Sequence, residues 1–410
     1  MRRIEIEGKA GVRNTWDRSA PTRRALLNEA QRQFAARGPG AVSIRSIAAG
    51  AGCSHTLIGR YYGSKEGLEG AVVARIAANL RRLVAAASSD PADIAAALLA
   101  VAREHPDVGR VVIRCGLGEL DPAPVLAGRS LPRHVAAEIE RRRGGDPLKP
   151  SPTARAVAYS VLSVVLGYLT FEEFFIIGTR SAEIDEPVRD AAVVDAVRVL
   201  VERGSDAAIE VPWATGATSR RSGPDPAGRP ASARDALIRA ALELYVELGP
   251  ADVRTRAIAE RAGVNQGLIY HYFRSRRALI AEALSLANSP LEQATIRDGE
   301  FDLGAALALG STLGSLVIAA RYLVDGGHMA DVRSSFPVFD SALALYDEIP
   351  TGSGPRSLRD PRLAVLAAAT VFAAPSVWDR ILRKGLTIPA AADLTASRGW
   401  AAQLLLDQPR

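Results

Sequence analysis

IAERAGVNQGLIYHYFRSRRAL, from Ile258 to Leu279, carries two short apolar faces on either side of a glycine. Ile258, Ala259 and Ala262 recur at helical spacing before Gly263, and Ile269 and Phe273 do so after it. Gly263 supplies the tight turn and Asn265 caps the second helix, so the stretch reads as a helix-turn-helix. The pattern occurs earlier in the chain as IAAGAGCSHTLIGRYYGSKEGL, Ile47 to Leu68, with Gly52 at the turn and Ser54 at the cap. The two lie in longer stretches, Thr22 to Leu68 and Ala233 to Leu279, that align without a gap. Leu26, Ala30, Gly38, Pro39, Val42 and Arg45 recur as Leu237, Ala241, Gly249, Pro250, Val253 and Arg256, so the chain contains a duplicated unit. In each copy a first helix precedes the pair. Its apolar face in copy one is Ala25, Leu26, Ala30 and Phe34, and it ends at Gly38.

The composition agrees with helices. Of 410 residues, 48% are hydrophobic and 23% charged, enough for a sizeable core, while aromatics are only 5%. Ala, Leu and Val dominate, which favours an all-α fold over a β sandwich. Two cysteines, Cys53 and Cys115, form no disulfide framework and no metal-ligand spacing, which points to a reducing, cytoplasmic setting with no cofactor. The opening MRRIEIEGKAGVRNTW lacks an apolar core and does not read as a signal peptide. Leu303 to Ala320 is uncharged over about the length of a membrane span, but its glycines and serines read as a core helix of a protein with no membrane partner.

At these residues the sequence resembles the tetracycline-repressor (TetR) family of bacterial transcription regulators. The second copy follows that family's N-terminal pattern closely, departing mainly at Leu268 and at Arg276, where a Lys is usual. The first keeps Lys65 but places Gly59 where the family has a tyrosine, so that tyrosine's phosphate contact does not carry over. Chain length fits two such units in tandem. The expected organisation is a basic arm at 1–20, a first DNA-binding domain at 21–70, a first regulatory and dimerisation domain at 71–204, a linker at 205–231, a second DNA-binding domain at 232–281 and a second regulatory domain at 282–410. Ala156 to Gly178 and Pro187 to Gly204 resemble the two long helices of the family's dimerisation bundle. Leu363 to Gly385, kinked at Pro375, and Pro389 to Gln408 fill the same places in copy two. Faces this apolar need a cover, and each other is the economical one: an intrachain pseudo-dimer, with or without further pairing of chains.

Charge is an independent check. The first 85 residues carry 15 Lys and Arg against 6 Asp and Glu, while the whole chain is only +6. That places positive charge where an operator in double-stranded DNA is expected. The resemblance puts the third helix of each copy in the major groove, with Ser54, His55, Thr56, Arg60 and Tyr61 exposed in one and Asn265, Gln266, Gly267, Tyr270, His271 and Tyr272 in the other. Gln266 suits a bidentate bond to adenine, Arg60 a guanine or a phosphate, and Gly267 a close approach of backbone to groove. Arg45 and Arg256 on the second helix, and Lys65 and Arg276 at the start of the fourth, are expected at phosphates. The resemblance also implies a small-molecule effector, with Tyr322, His328, Met329, Phe336 and Phe339 as candidate lining. His105, Cys115 and Tyr159 are the counterparts in copy one.

The function expected is a sequence-specific DNA-binding transcriptional regulator, a ligand-responsive repressor. The alternative keeps the fold with one silent head, acting as a sensing or interaction module. An enzyme is disfavoured: the five histidines are scattered, and neither an H-E-x-x-H nor a C-x-x-C occurs.

Overall fold

The computed structural model describes residues 20–86, 89–127, 130–206, 232–297, 300–303, 305, 314–332, 336–345 and 354–408. Of the expected arm (1–20), residues 1–19 lie outside the described residues and Ala20 opens the first helix; nearly all of the linker (207–231) lies outside them as well. The fold is all-α, apart from a two-residue antiparallel pairing of Ile296–Arg297 with Glu300–Phe301.

The first unit runs α1 (Ala20–Arg37), α2 (Ile44–Gly50), α3 (Thr56–Tyr62) and α4 (Lys65–Ala86). It continues through α5 (Pro91–Glu104), α6 (Pro106–Gly116), α7 (Ala123–Leu126), α8 (Leu131–Arg142), α9 (Pro152–Gly178) and α10 (Glu186–Asp206). The second unit opens with α11 (Ala233–Leu248), α12 (Thr255–Ala262), α13 (Gly267–Phe273) and α14 (Arg276–Thr295). Helices Gly314–Val324, Pro337–Ala344, Pro361–Ala373, Pro375–Leu386 and Thr395–Leu406 follow. Local chemistry sets many of the starts. Asp90, Ser151 and Asp360 each accept a hydrogen bond from a first-turn backbone N–H, and Pro91, Pro152 and Pro361 stand where a missing N–H costs nothing. That cap starts α9 at Pro152, four residues ahead of the Ala156 expected from apolar spacing.

Ser205 and Asp206, expected in the linker, are the last turn of α10. Gly204 is buried there against Val157 and Trp400, and Ser205 Oγ donates to the Val201 carbonyl at 2.7 Å. Burial of the α10 face carries the helix past its last apolar residue.

The two units share one core. α9 packs on Pro361–Ala373, Pro375–Leu386 and Thr395–Leu406, and α10 packs on the first of these, so five helices from both copies make one bundle. The pairing expected from the uncovered faces is therefore present within the chain. Pro375 bends its helix pair by 66°. At Gly167 the crossing is so close that an added Cβ would stand 2.7 Å from the Thr370 carbonyl oxygen. Polar atoms at the seam are paired: Trp378 Nε1 donates to Thr170 Oγ1 at 2.9 Å, and the buried Tyr159 hydroxyl to Asp379 at 2.7 Å. Burial and the Asp379 charge hold that hydroxyl far above the usual tyrosine range. Among the described residues α9, kinked at Phe171, is the one single helix long and apolar enough to cross a membrane, and most of its apolar window is buried in this bundle.

Candidate nucleic-acid interface and core cavities

Each head is built on the same buried positions. Leu26, Ala30, Phe34, Ile47, Ile58 and Leu68 close the core of the first, and Leu237, Ala241, Tyr245, Ile258, Ile269 and Leu279 that of the second. The turn glycines Gly52 and Gly263 have φ of +65° and +67°, which other residues adopt only with strain. Ser43 caps α2 by accepting from Ser46 N at 3.0 Å. The third helices begin two residues after their polar caps. Asn265 Oδ1 accepts from Gly267 N at 2.8 Å, and Ser54 Oγ stands 3.4 Å from Thr56 N.

Packing these faces inward leaves the opposite face of each third helix in solvent. Ser54, His55, Thr56 and Arg60 are exposed in the first head, and Asn265, Gln266, Gly267, Tyr270, His271 and Tyr272 in the second. Tyr270 is 60% exposed, a large ring that nothing in the fold requires to be outside. Tyr61 is half-buried instead, with the Arg23 guanidinium 5.2 Å above its ring centroid. Gly59, in the Tyr270 position, has open space where a Cβ would stand, so crowding does not explain the missing side chain.

The cations divide into two kinds. Arg45 and Arg256 are exposed on the second helices, and Arg256 is held by Glu260 at 2.7 Å. Lys65 and Arg276 are tied down. Lys65 Nζ donates to the Pro39 carbonyl at 2.6 Å, and Arg276 to those of Ala251 and Val253 at 3.1 and 3.2 Å. These bonds staple the fourth helix of each head to the loop before its second helix, a role that repeat spacing alone does not reveal. Gln266 Nε2 donates to Thr255 Oγ1 at 3.1 Å, which orients the amide beside the helix start.

Among the described residues two apolar cavities lie deeper, one in the helices after each head. That of the second, about 80 Å³, is walled by an edge-to-face cluster of Phe174 and Phe175 from α9 with Phe336 and Phe339, the closest centroids being 4.6 Å apart. Asn288 and Glu292 of α14 add polar atoms. Of the five residues expected to line it, Phe336 and Phe339 do. Tyr322, His328 and Met329 do not: His328 is exposed against Glu173, the Met329 N–H donates to Glu173 at 2.6 Å, and Tyr322 packs on Gly327. Sequence reasoning missed Phe174 and Phe175 because they belong to the other copy. The cavity of the first half, about 100 Å³, is mostly aliphatic, with Leu80, Arg81, Val84 and Ile113 from one half and Trp378 and Ile381 from the other. His105, Cys115 and Tyr159 line neither. Cys115 is buried, and its thiol is pushed up to about 12 by desolvation.

Comparison with known proteins bears on the heads. The family model described as "Bacterial regulatory proteins, tetR family" matches twice, at residues 26–72 and 237–283. An HTH-type transcriptional repressor of Mycobacterium tuberculosis is 46% identical over 70 residues, covering 17% of this chain and 36% of that protein. The HTH-type transcriptional repressor KstR2 of Mycolicibacterium smegmatis is 32% identical over 87 residues, 18% of this chain and 42% of that one. The tetracycline repressor protein class C of Escherichia coli is 45% identical over 58 residues, 13% and 26% respectively. The chain thus spans between about a quarter and two fifths of the length of these curated relatives.

Proposed function

We propose that this chain, which carries two tetR-family domains in tandem, is a DNA-binding transcriptional repressor in which one polypeptide supplies both reading heads. The observation that carries the reading is the polar, exposed face of each third helix on a repeated buried frame, with the two heads joined through a single shared bundle. Arg45, Ser54, His55, Thr56, Arg60, Tyr61 and Lys65 form the first contact set. Arg256, Asn265, Gln266, Gly267, Tyr270, His271, Tyr272 and Arg276 form the second. Phosphates are met by the cations and by Tyr270, bases by Gln266, Arg60 and the small residues beside them.

The cavities support response to an effector, because one rigid element joins each to its head. α4 begins at Lys65 in the first head and reaches the first cavity with Leu80 and Val84. α14 begins at Arg276 in the second head and reaches the second cavity with Asn288 and Glu292. A ligand that spreads a cavity wall acts on the far end of that helix, which is the differential contact an effector needs. The wall chemistry favours a compact aromatic molecule in the second half and an aliphatic one in the first. Gly59 supports a second reading, in which the first head contributes charge but little sequence preference.

Gel-shift titration of the chain on the DNA flanking its own gene tests the reading. A discrete complex of one chain per site, resistant to excess unrelated DNA, is expected. Binding indifferent to sequence would remove the operator reading, and a site preference unaffected by Arg60→Ala would favour the quiet first head.

A further inference from the structure

Between the heads, the end of α6 meets the end of the Gly314–Val324 helix, and two arginines exchange partners there. Arg114 donates to Asp325 at 2.8 Å and to the Val324 carbonyl at 3.4 Å. Arg321 donates to Glu119 at 3.3 Å and to the Leu117 carbonyl at 3.5 Å. Leu117 stands three residues after Arg114, and Val324 three after Arg321, so each guanidinium reaches the C-terminal turn of the other helix. A cation is favoured at that end of a helix dipole. Arg114 also bonds its own Glu119 at 2.7 Å, and the Asp325 N–H donates to the Arg321 carbonyl at 3.1 Å, so three ion pairs and one backbone bond close a neutral four-residue ring.

The ring touches both heads at equivalent places. Arg114 donates to the Ala35 carbonyl near the end of α1, and a Cβ on Gly38 would lie 2.9 Å from its Nη1. A Cβ on Gly249, the matching glycine after α11, would lie 3.2 Å from Arg321 Cδ. Both glycines have positive φ, +74° and +88°, and both turns sit on an arginine gripped by a carboxylate of the opposite half. The ring is a poor device for stability. The Arg114 side chain is 2% exposed, and the Nε atoms of Arg114 and Arg321 are both buried without a hydrogen-bond partner. Burial also pushes the Asp325 carboxyl up, against the pull of Arg114. Buried ion pairs with unmet donors seldom repay their desolvation, and the best attested use of such groups is to fix geometry.

We propose that Arg114, Glu119, Arg321 and Asp325 are positioning residues that hold the two heads at one separation and so set the half-site spacing the chain accepts. The spacing part rests on the DNA-binding reading above, whereas the separation part does not. Each base pair added between half-sites moves the second by about 3.4 Å along the axis and about a tenth of a turn around it, which a rigid pair of heads cannot follow.

The test removes both negative charges of the ring with Glu119→Gln and Asp325→Asn together, a nearly isosteric change. Spin labels on Ala49→Cys and Glu260→Cys, equivalent exposed sites on α2 and α12, report the head-to-head distance in a Cys53→Ser background. One narrow distance distribution is expected without the ring changes, and a broadened or shifted one with them. DNA with one or two base pairs inserted between half-sites should lose about tenfold or more in affinity for the chain with the intact ring and less than threefold for the double variant. An unchanged distribution in a folded variant, a broad distribution before any change, or outright unfolding of the variant would each overturn the proposal. A chain that keeps the narrow distribution but binds no DNA sinks the functional reading and leaves the cross-tie standing.

Discussion

The two heads share a frame and differ on the surface. Both have a left-handed glycine at the turn, a polar cap two residues before the third helix, and a cation stapling the fourth helix to the preceding loop. The third helices present SHTLIGRYY in one and NQGLIYHYF in the other, and of the residues they share, Leu and Ile are the ones packed on the core. Even the α1–α2 contact has been rebuilt: Gln33 donates to the Ser46 carbonyl at 3.0 Å, where the second head has the apolar Leu244. Packing tolerates little change at buried sites, while an exposed helix face is free to acquire a new preference. Duplication within one chain removes the two-fold constraint that identical subunits impose, so the faces diverged.

The comparison matters only while the halves stay paired, so the largest effect belongs to the seam. Gly167→Leu should cost about 3 kcal/mol, because the backbone of Thr370 cannot yield to a side chain. Calorimetry should show a lowered transition, or two where there was one. An unchanged transition would mean the halves separate without loss.

Gln266→Ala sharpens the comparison at the bases. It should relax preference at one operator position by about 1–3 kcal/mol while His55→Ala, its counterpart, changes less. A larger loss from His55→Ala would reverse the assignment of specificity to the second head.

How legible the heads were in the sequence, against the rest, has a physical reason. The frame of each head is written in neighbouring residues: Ser43 beside its helix, Gly263 at its turn, Ile258 and Ile269 at helical spacing. The shared bundle was visible as apolar faces in need of cover, and those faces do cover each other. The ionic ring was not visible, because Arg114 and Asp325 lie 211 residues apart and neither belongs to a local motif. The second cavity was half visible. Phe336 and Phe339 belong to its own half, but Phe174 and Phe175 enter from across the seam. Expectation failed at the ends of α9 and α10, where a cap and a buried face extend the helices beyond their apolar runs.

A smaller effect is expected at the missing tyrosine. Tyr270→Ala should weaken binding by about 1.5 kcal/mol, the scale of one hydrogen bond to a charged group. Gly59→Tyr should strengthen it by less, helped by the roughly 0.5–1 kcal/mol that a glycine costs within a helix. Titration of both variants on one operator checks this, and a Gly59→Tyr chain that binds no better would show that the first head is not oriented for the contact. The smallest effect is electrostatic. Arg45→Ala should lower the slope of log affinity against log salt by about 0.9, and Arg256→Ala by less, since Glu260 already holds Arg256. Equal slopes for the two variants would erase that difference between the heads.

The central claim is that one chain reads two unlike half-sites, and selecting binding sites from random DNA tests it most directly. The account predicts a two-part consensus whose halves differ in sequence, keep one spacing of about a helical turn, ~34 Å, and are more sharply defined under the second head. A perfectly palindromic consensus would contradict it, since equivalent heads from two chains would then be doing the reading. A single half-site with no second element would contradict it as well.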